Sequence, residues 1–164
     1  MHANAVTITK FYTAFAQLDG DGMEQCYADN VAFEDEVFTL QGKAATMGMW
    51  RMLIETTRAK GMDAWRLEFC DVEADTTTGQ AHWDAHYRFS ATGRTVLNRI
   101  DAQFTFDSQG LIITHRDSFN FWSWSSQALG APGWLLGWSP FLRDKVRQQA
   151  AGNLQKFMAS RKAS

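Results

Sequence analysis

The spacing of apolar residues predicts an α+β domain, with helices covering one face of a strongly curved sheet that is mostly antiparallel. Three observations carry this reading. Apolar residues recur at helical intervals in the first sixty residues, three alternating runs follow one another between Gln80 and Trp124, and a further helical pattern closes the chain. With 164 residues, 45% of them hydrophobic and 13% aromatic, the chain is expected to form one domain with a sizeable core.

In order, Val6, Ile8, Phe11, Tyr12, Phe15 and Leu18 fall on one helical face, and Asp19-Gly20-Asp21-Gly22 reads as the turn that ends this first helix. That acidic turn lacks the further carboxylates and the distal Glu of a calcium loop. Met23 to Asp29 predicts a short second helix, and Val31 to Phe38 a strand or a tight strand pair, punctuated by Gln41-Gly42. Ala44, Met47, Trp50, Met52, Leu53 and Ile54 predict a third helix over Lys43 to Lys60, with Gly61 as its C-cap. Trp65 to Glu73 alternates as a strand, and Asp75 to Gly79 turns the chain into the main sheet.

There, period two places Trp83, Ala85, Tyr87 and Phe89 on one face and His82, Asp84, His86 and Arg88 on the other. After Ala91-Thr92-Gly93 the chain returns, with Leu97, Arg99, Asp101, Gln103 and Thr105 opposite Val96, Asn98, Ile100, Ala102, Phe104 and Phe106. Asp107-Ser108-Gln109-Gly110 closes a hairpin, and Leu111 to Trp122 carries His115, Asp117 and Phe119 opposite Thr114, Arg116, Ser118 and Asn120. Trp122, Trp124, Trp134 and Trp138 follow in a stretch broken by Gly and Pro, expected either to close the open end of the sheet, to pack on a partner subunit, or to be buried as core. Ser139-Pro140 reads as N-cap and first helical position of a C-terminal helix in which Leu142, Val146, Ala150, Leu154 and Phe157 recur, to about Arg161.

The formal net charge of -2, without any basic cluster interleaved with aromatics, argues against a nucleic-acid partner. Cys26 and Cys70 are isolated thiols without metal spacing, compatible with a reduced cytoplasmic location. The residues Met1 to Val6 lack the basic and apolar segments of a secretory signal, and no apolar stretch approaches the roughly 20 residues that span a bilayer. No membrane partner is therefore expected.

Two stretches carry a family resemblance. Cys26-Tyr27-Ala28-Asp29-Asn30-Val31-Ala32-Phe33-Glu34-Asp35, followed by Gln41-Gly42-Lys43-Ala44-Ala45, resembles the start of the nuclear transport factor 2-like superfamily, which includes ketosteroid isomerases and SnoaL-like polyketide cyclases. Phe106 to Ile112 and His115-Arg116-Asp117-Ser118-Phe119 resemble the last hairpin of the same proteins. The resemblance covers about residues 5 to 122, and it implies a cone-shaped fold in which the sheet wraps the N-terminal helices. It divides the chain into a SnoaL-like part, residues 1–122, and a Trp-rich segment with C-terminal helix, residues 123–164, packed on the same domain. It also implies a homodimer holding a small apolar molecule. Since the superfamily holds isomerases, dehydratases, cyclases, epoxide hydrolases and non-catalytic binding domains, it marks the fold better than the activity.

Asp35 stands where the isomerases place the carboxylate that shuttles a proton beside a carbonyl; desolvation at the mouth of an apolar cone would strengthen it as a base. Asp101, in Arg99-Ile100-Asp101, stands where they carry a protonated acid that donates to the enolate oxygen, with Tyr12 as the second donor. The row His82, Asp84, His86, with His115 and Asp117 on a later strand, offers another reading, in which imidazoles and carboxylates move protons in a dehydration, a cyclisation or an epoxide hydration. Scytalone dehydratase and limonene epoxide hydrolase resemble this chain in fold and use such polar rows. Side chains two apart on a strand also converge as metal ligands do, but no closed four-ligand set is seen, so neither metal nor cofactor is expected. Phe15, Trp50, Arg99, Phe119 and Trp122 are the expected ligand contacts. Catalyst, pure binding module and interaction domain remain open at this point.

Overall fold

The computed structural model describes residues 1–163; Ser164, the end of the segment read as residues 123–164, lies outside them. Helix α1 (Ala3–Ala16) turns Ile8, Phe11, Tyr12 and Phe15 into the core, as their spacing requires, and the chain reverses at Leu18, which takes a positive φ of 58°. Helix α2 (Gly20–Glu24) starts earlier than the sequence suggested, because the Asp19 side chain accepts a hydrogen bond from Gly22 N and caps it. The expected second helix over Met23 to Asp29 is corrected. Tyr27 to Asp29 already belong to strand β1 (Tyr27–Glu34), where Tyr27 pairs with Ile112 across the sheet. A partner strand more than eighty residues away decides the conformation of these three residues.

Strand β2 (Thr39–Gln41) folds back on β1, and helix α3 (Lys43–Lys60) follows with Met47, Trp50 and Ile54 buried. Strands β3 (Arg66–Ala74), β4 (Thr78–Arg88), β5 (Thr95–Phe106) and β6 (Ile112–Ser118) form an antiparallel meander. β1 joins β6 in parallel, so the six-stranded sheet is mixed, in the order β2-β1-β6-β5-β4-β3. It curves around α1, which lies on β3 and β4, and α3, which lies on β1. Gly79 permits the close approach: a Cβ there would stand 2.8 Å from the Ile8 side chain.

The strand expected to reach Trp122 ends at Ser118. Asn120 accepts a hydrogen bond from Ser123 N and caps helix α4 (Phe121–Leu129), and after Gly130, at φ 71°, helix α5 (Ala131–Leu136) begins. The Trp-rich stretch is thus two short helices set against each other. Helix α6 (Pro140–Lys162) begins with the Ser139 cap and runs over α3, where Leu154 is buried and Arg161 pairs with Glu55 at 2.6 Å. Among the described residues no helix is long and apolar enough to cross a membrane.

Candidate active site

The inner face of the sheet, α3 and the two helices α4 and α6 leave between them a cavity of about 460 Å³, within the range of small-molecule sites. Its wall is mostly apolar: Phe15, Trp50, Leu53, Trp65, Trp83, Ile100, Phe119 and Trp124. Val146 and Ala150 of α6 close one side. Among the polar groups set into this wall are Asp35, Asp117, Tyr87 and Asn98, with Arg88 paired to Asp63 at 2.6 Å, and Thr56, Thr57, Ser90, Gln149 and Asn153 line it as well. A larger and more open depression, about 780 Å³, lies elsewhere and is lined largely by polar residues such as Glu34, Gln103, Thr105 and Arg116. The enclosed cavity is the better site, because it combines apolar burial with convergent titratable groups.

Asp35 follows the last residue of β1, where the chain turns toward β2. One carboxylate oxygen accepts hydrogen bonds from the backbone N–H groups of Val37 and Phe38, at 2.7 and 2.6 Å, which fixes its orientation. Burial nevertheless pushes the carboxyl from its ordinary 3.8 up to about 7; the two N–H donors oppose the rise, and the charges of Asp117 and Glu36 add to it. Asp35 therefore titrates near neutral pH, the condition in which one carboxyl serves as base and then as acid.

Behind Asp117 runs a buried chain of hydrogen bonds through His115, Tyr27 and Trp50. The Trp50 indole N–H can only donate, and it does so to the Tyr27 hydroxyl oxygen at 3.0 Å. With the Asp117 carboxylate as acceptor, His115 Nε2–H donates to it at 2.9 Å, and in the neutral imidazole Nδ1 then accepts from the Tyr27 hydroxyl at 2.7 Å. The same Asp117 oxygen accepts from the Trp83 indole at 3.4 Å. His115 is wholly buried, and alternation on β6 carries both it and Asp117 inward. The arrangement fixes one histidine tautomer and one carboxylate orientation.

Across the cavity the Trp124 indole donates to the Tyr87 hydroxyl at 2.7 Å, so the Tyr87 proton is available to another acceptor. Burial pushes this hydroxyl up, against the Trp124 hydrogen bond, and the charge of Asp35 acts in the same direction as burial. Asn98, nearly buried, projects from β5 beside Ile100.

Alternation also separates the other candidates. Asp101, expected as a donor into the pocket, is corrected: its side chain is 81% exposed on the outer face, 2.7 Å from His82 Nδ1, while His82 Nε2 meets Asp84 at 3.0 Å. His86 lies on that face beside Arg66, at 3.2 Å, and Arg99 is exposed there. His82, Asp84, His86, Asp101 and Arg99 are thus divided from His115 and Asp117 by the thickness of the sheet. Among the described residues no three His, Cys, Asp or Glu side chains form a group suited to a metal ion. Tyr12 is buried with its hydroxyl unpartnered and does not line the cavity. Trp122 is 42% exposed and turns its indole N–H to the Trp134 carbonyl, outside the cavity. Asp35, Phe15, Trp50 and Phe119 do line it, as does Asp117.

Three site residues escaped the sequence reading. Tyr27 falls in the stretch whose spacing predicts a helix, and Tyr87 and Asn98 fall in the core-facing rows. The available signal was a hydroxyl and an amide at positions where alternation calls for apolar side chains.

A curved sheet folded over helices so as to leave one apolar cavity bearing carboxyl groups defines the nuclear transport factor 2-like class of pocket proteins. Residues 8–115 match the family described as SnoaL-like domain, and the chain belongs to that family. Similar solved structures agree in fold. They include a protein provisionally assigned as a polyketide cyclase from Xanthomonas campestris pv. campestris, 22% identical, covering 76% of this chain and 96% of that one at a TM-score of 0.58. An epoxide hydrolase of the LEH-like kind from M. tuberculosis is 17% identical, with coverages of 83% and 96% and a TM-score of 0.62. A protein with a ketosteroid isomerase-like fold from Catenulispora acidiphila DSM 44928, in complex with trimethylamine, is 12% identical, with coverages of 82% and 97% and a TM-score of 0.62. A search of curated proteins finds no match.

Proposed function

We propose that the protein is a cofactor-free acid–base enzyme that takes a small apolar carbonyl compound into its cavity and moves a proton at the carbon beside the carbonyl. The observation that carries this is Asp35, a carboxyl with a pKa of about 7 in the wall of an apolar cavity. Ionised Asp35 removes the proton, and the electron pair of the C–H bond passes to the carbonyl oxygen as an enolate. Tyr87 and Asn98 are the donors suited to that oxygen. Protonated Asp35 then returns the proton to a carbon further along, completing an isomerisation. In a cyclisation the enolate carbon would instead attack a second carbonyl of the same molecule, and the proton would go to the new alkoxide.

A second reading rests on Asp117, the other carboxyl facing the cavity. Two such groups could activate a water and protonate the opposing oxygen of an epoxide, as acid–base pairs do. Pairing of two copies, implied by the family resemblance, belongs to the same proposal and is read by sedimentation equilibrium.

The test follows isomerisation of a β,γ-unsaturated ketosteroid to its conjugated enone by absorbance, with wild type and Asp35→Asn compared. Loss of turnover by roughly 10²- to 10⁴-fold at unchanged ligand affinity is expected of a general base. Absence of turnover in the wild type would remove the isomerase reading and leave epoxide hydration, or a cavity that only binds, to be tested with an epoxide.

A further inference from the structure

The twenty-five residues from Ser118 to Leu142 contain no charged side chain, and at their end Trp134, Leu135, Leu136, Trp138 and Phe141 are between 43% and 75% exposed. Soluble proteins rarely expose so many large apolar groups within eight residues. The Trp138 indole N–H is turned back onto the Leu135 carbonyl, at 2.8 Å, so the surface left outward is apolar. Basic residues follow the knuckle on α6, where Arg143 pairs with Glu36, Arg147 with Asp144 and Arg161 with Glu55, while Lys145 and Lys156 are exposed. Helix α6, which begins inside it, carries six of the chain's sixteen Lys and Arg residues but only one of its eighteen acidic residues, Asp144. Phe141, Lys145 and Lys156 fall on one stripe of α6 and all are exposed. The knuckle also joins the two helices that wall the cavity, since Trp124 and Leu129 of α4 and Val146 and Ala150 of α6 line it.

We propose that the knuckle is a membrane-surface contact, in which Leu135, Trp138 and Phe141 enter the boundary between headgroups and acyl chains of an anionic bilayer while Lys145 and Lys156, exposed on the stripe that Phe141 begins, meet the phosphates. Such contact requires no spanning helix, and it sets the wall of an apolar cavity beside a source of apolar molecules. The exposed Lys145 and Lys156 complement an anionic surface. The size of the patch also disfavours a second copy, because a stable dimer face uses about 20–30 residues a side, far more than this protrusion offers. The proposal concerns binding alone and stands whether or not Asp35 is catalytic.

The experiment uses the full chain with vesicles of phosphatidylethanolamine and phosphatidylglycerol, and with vesicles of phosphatidylcholine alone, read by co-sedimentation and tryptophan emission. Wild type is expected to sediment with the anionic vesicles, with a blue shift, and Trp138→Ser/Phe141→Ser to lose about tenfold or more of that binding. Lys145→Glu/Lys156→Glu, which leaves the apolar residues in place, should weaken binding to anionic vesicles several-fold and serves if the first variant does not fold. No sedimentation of wild type with anionic vesicles, or full binding by the variants, overturns the proposal. A wild-type dimer that becomes monomeric in Trp138→Ser/Phe141→Ser, without vesicle binding, would assign the knuckle to a second copy instead.

Discussion

Asp35 shows how one side chain couples the cavity to stability. Its carboxyl is raised to about 7 in the folded chain, chiefly by burial, so between about pH 4 and pH 7 the folded state binds a proton that the unfolded state has released. Its contribution to stability is full below the unfolded value near 4 and is lost as pH rises through 7. The loss is at most about 4 kcal/mol, since water in the cavity softens the burial. Asp35→Asn cannot ionise and still offers an oxygen to the Val37 and Phe38 N–H groups. It should melt above wild type at pH 8.5, and the difference should shrink markedly at pH 4.5, as read by thermal denaturation; a difference that does not change with pH would deny the raised pKa. A second prediction separates the two faces of the sheet. Tyr87→Phe removes the hydroxyl available to an enolate and should lower kcat by about 10²-fold with little change in KM, whereas His82→Ala and Asp101→Asn, on the outer face, should leave turnover unchanged.

At the level of elements, the site depends on corners as much as on strands. Helices α4 and α5 meet so closely that a Cβ on Gly133 would overlap the Ser125 carbonyl and crowd the Ser126 amide, both backbone groups that cannot swing aside. Gly133→Ala should therefore open this corner and destabilise the protein by about 2 kcal/mol or more, detectable in urea. Because Trp124 of α4 holds the Tyr87 hydroxyl, the same variant should also lower activity in the protein that remains folded. Retention of wild-type stability would show that the corner yields without cost. Helix α6 illustrates the opposite case. Its Ser139 cap and Pro140 start are local devices, and the sequence located them within a residue.

For the whole molecule, the sequence by itself determined the class of fold and the face of each central strand. Period two on β4, β5 and β6 already placed Trp83, Ile100, His115 and Asp117 on rows of their own, because a strand cannot turn one residue without turning all. The 3.6-residue spacing of α1, α3 and α6 was equally legible, as was Asp35, through a resemblance of the residues around it. Only the tertiary structure decided which rows meet. Alternation sets Asp101 opposite the apolar row of β5, but on β6 the row of His115 and Asp117 and the row of Thr114 and Arg116 are both polar, and the pairing of β6 with β5 and β1 and the side on which α1 and α3 pack decide that Asp117 is the buried one. Tyr27 belongs to a strand because Ile112 pairs with it, and the cavity exists because α4 and α6, far along the chain, return to cover the open side of the sheet. Local pattern fixes what each element can bury, whereas long-range packing selects what it does bury, and a cavity with its shifted carboxyl is a product of that selection.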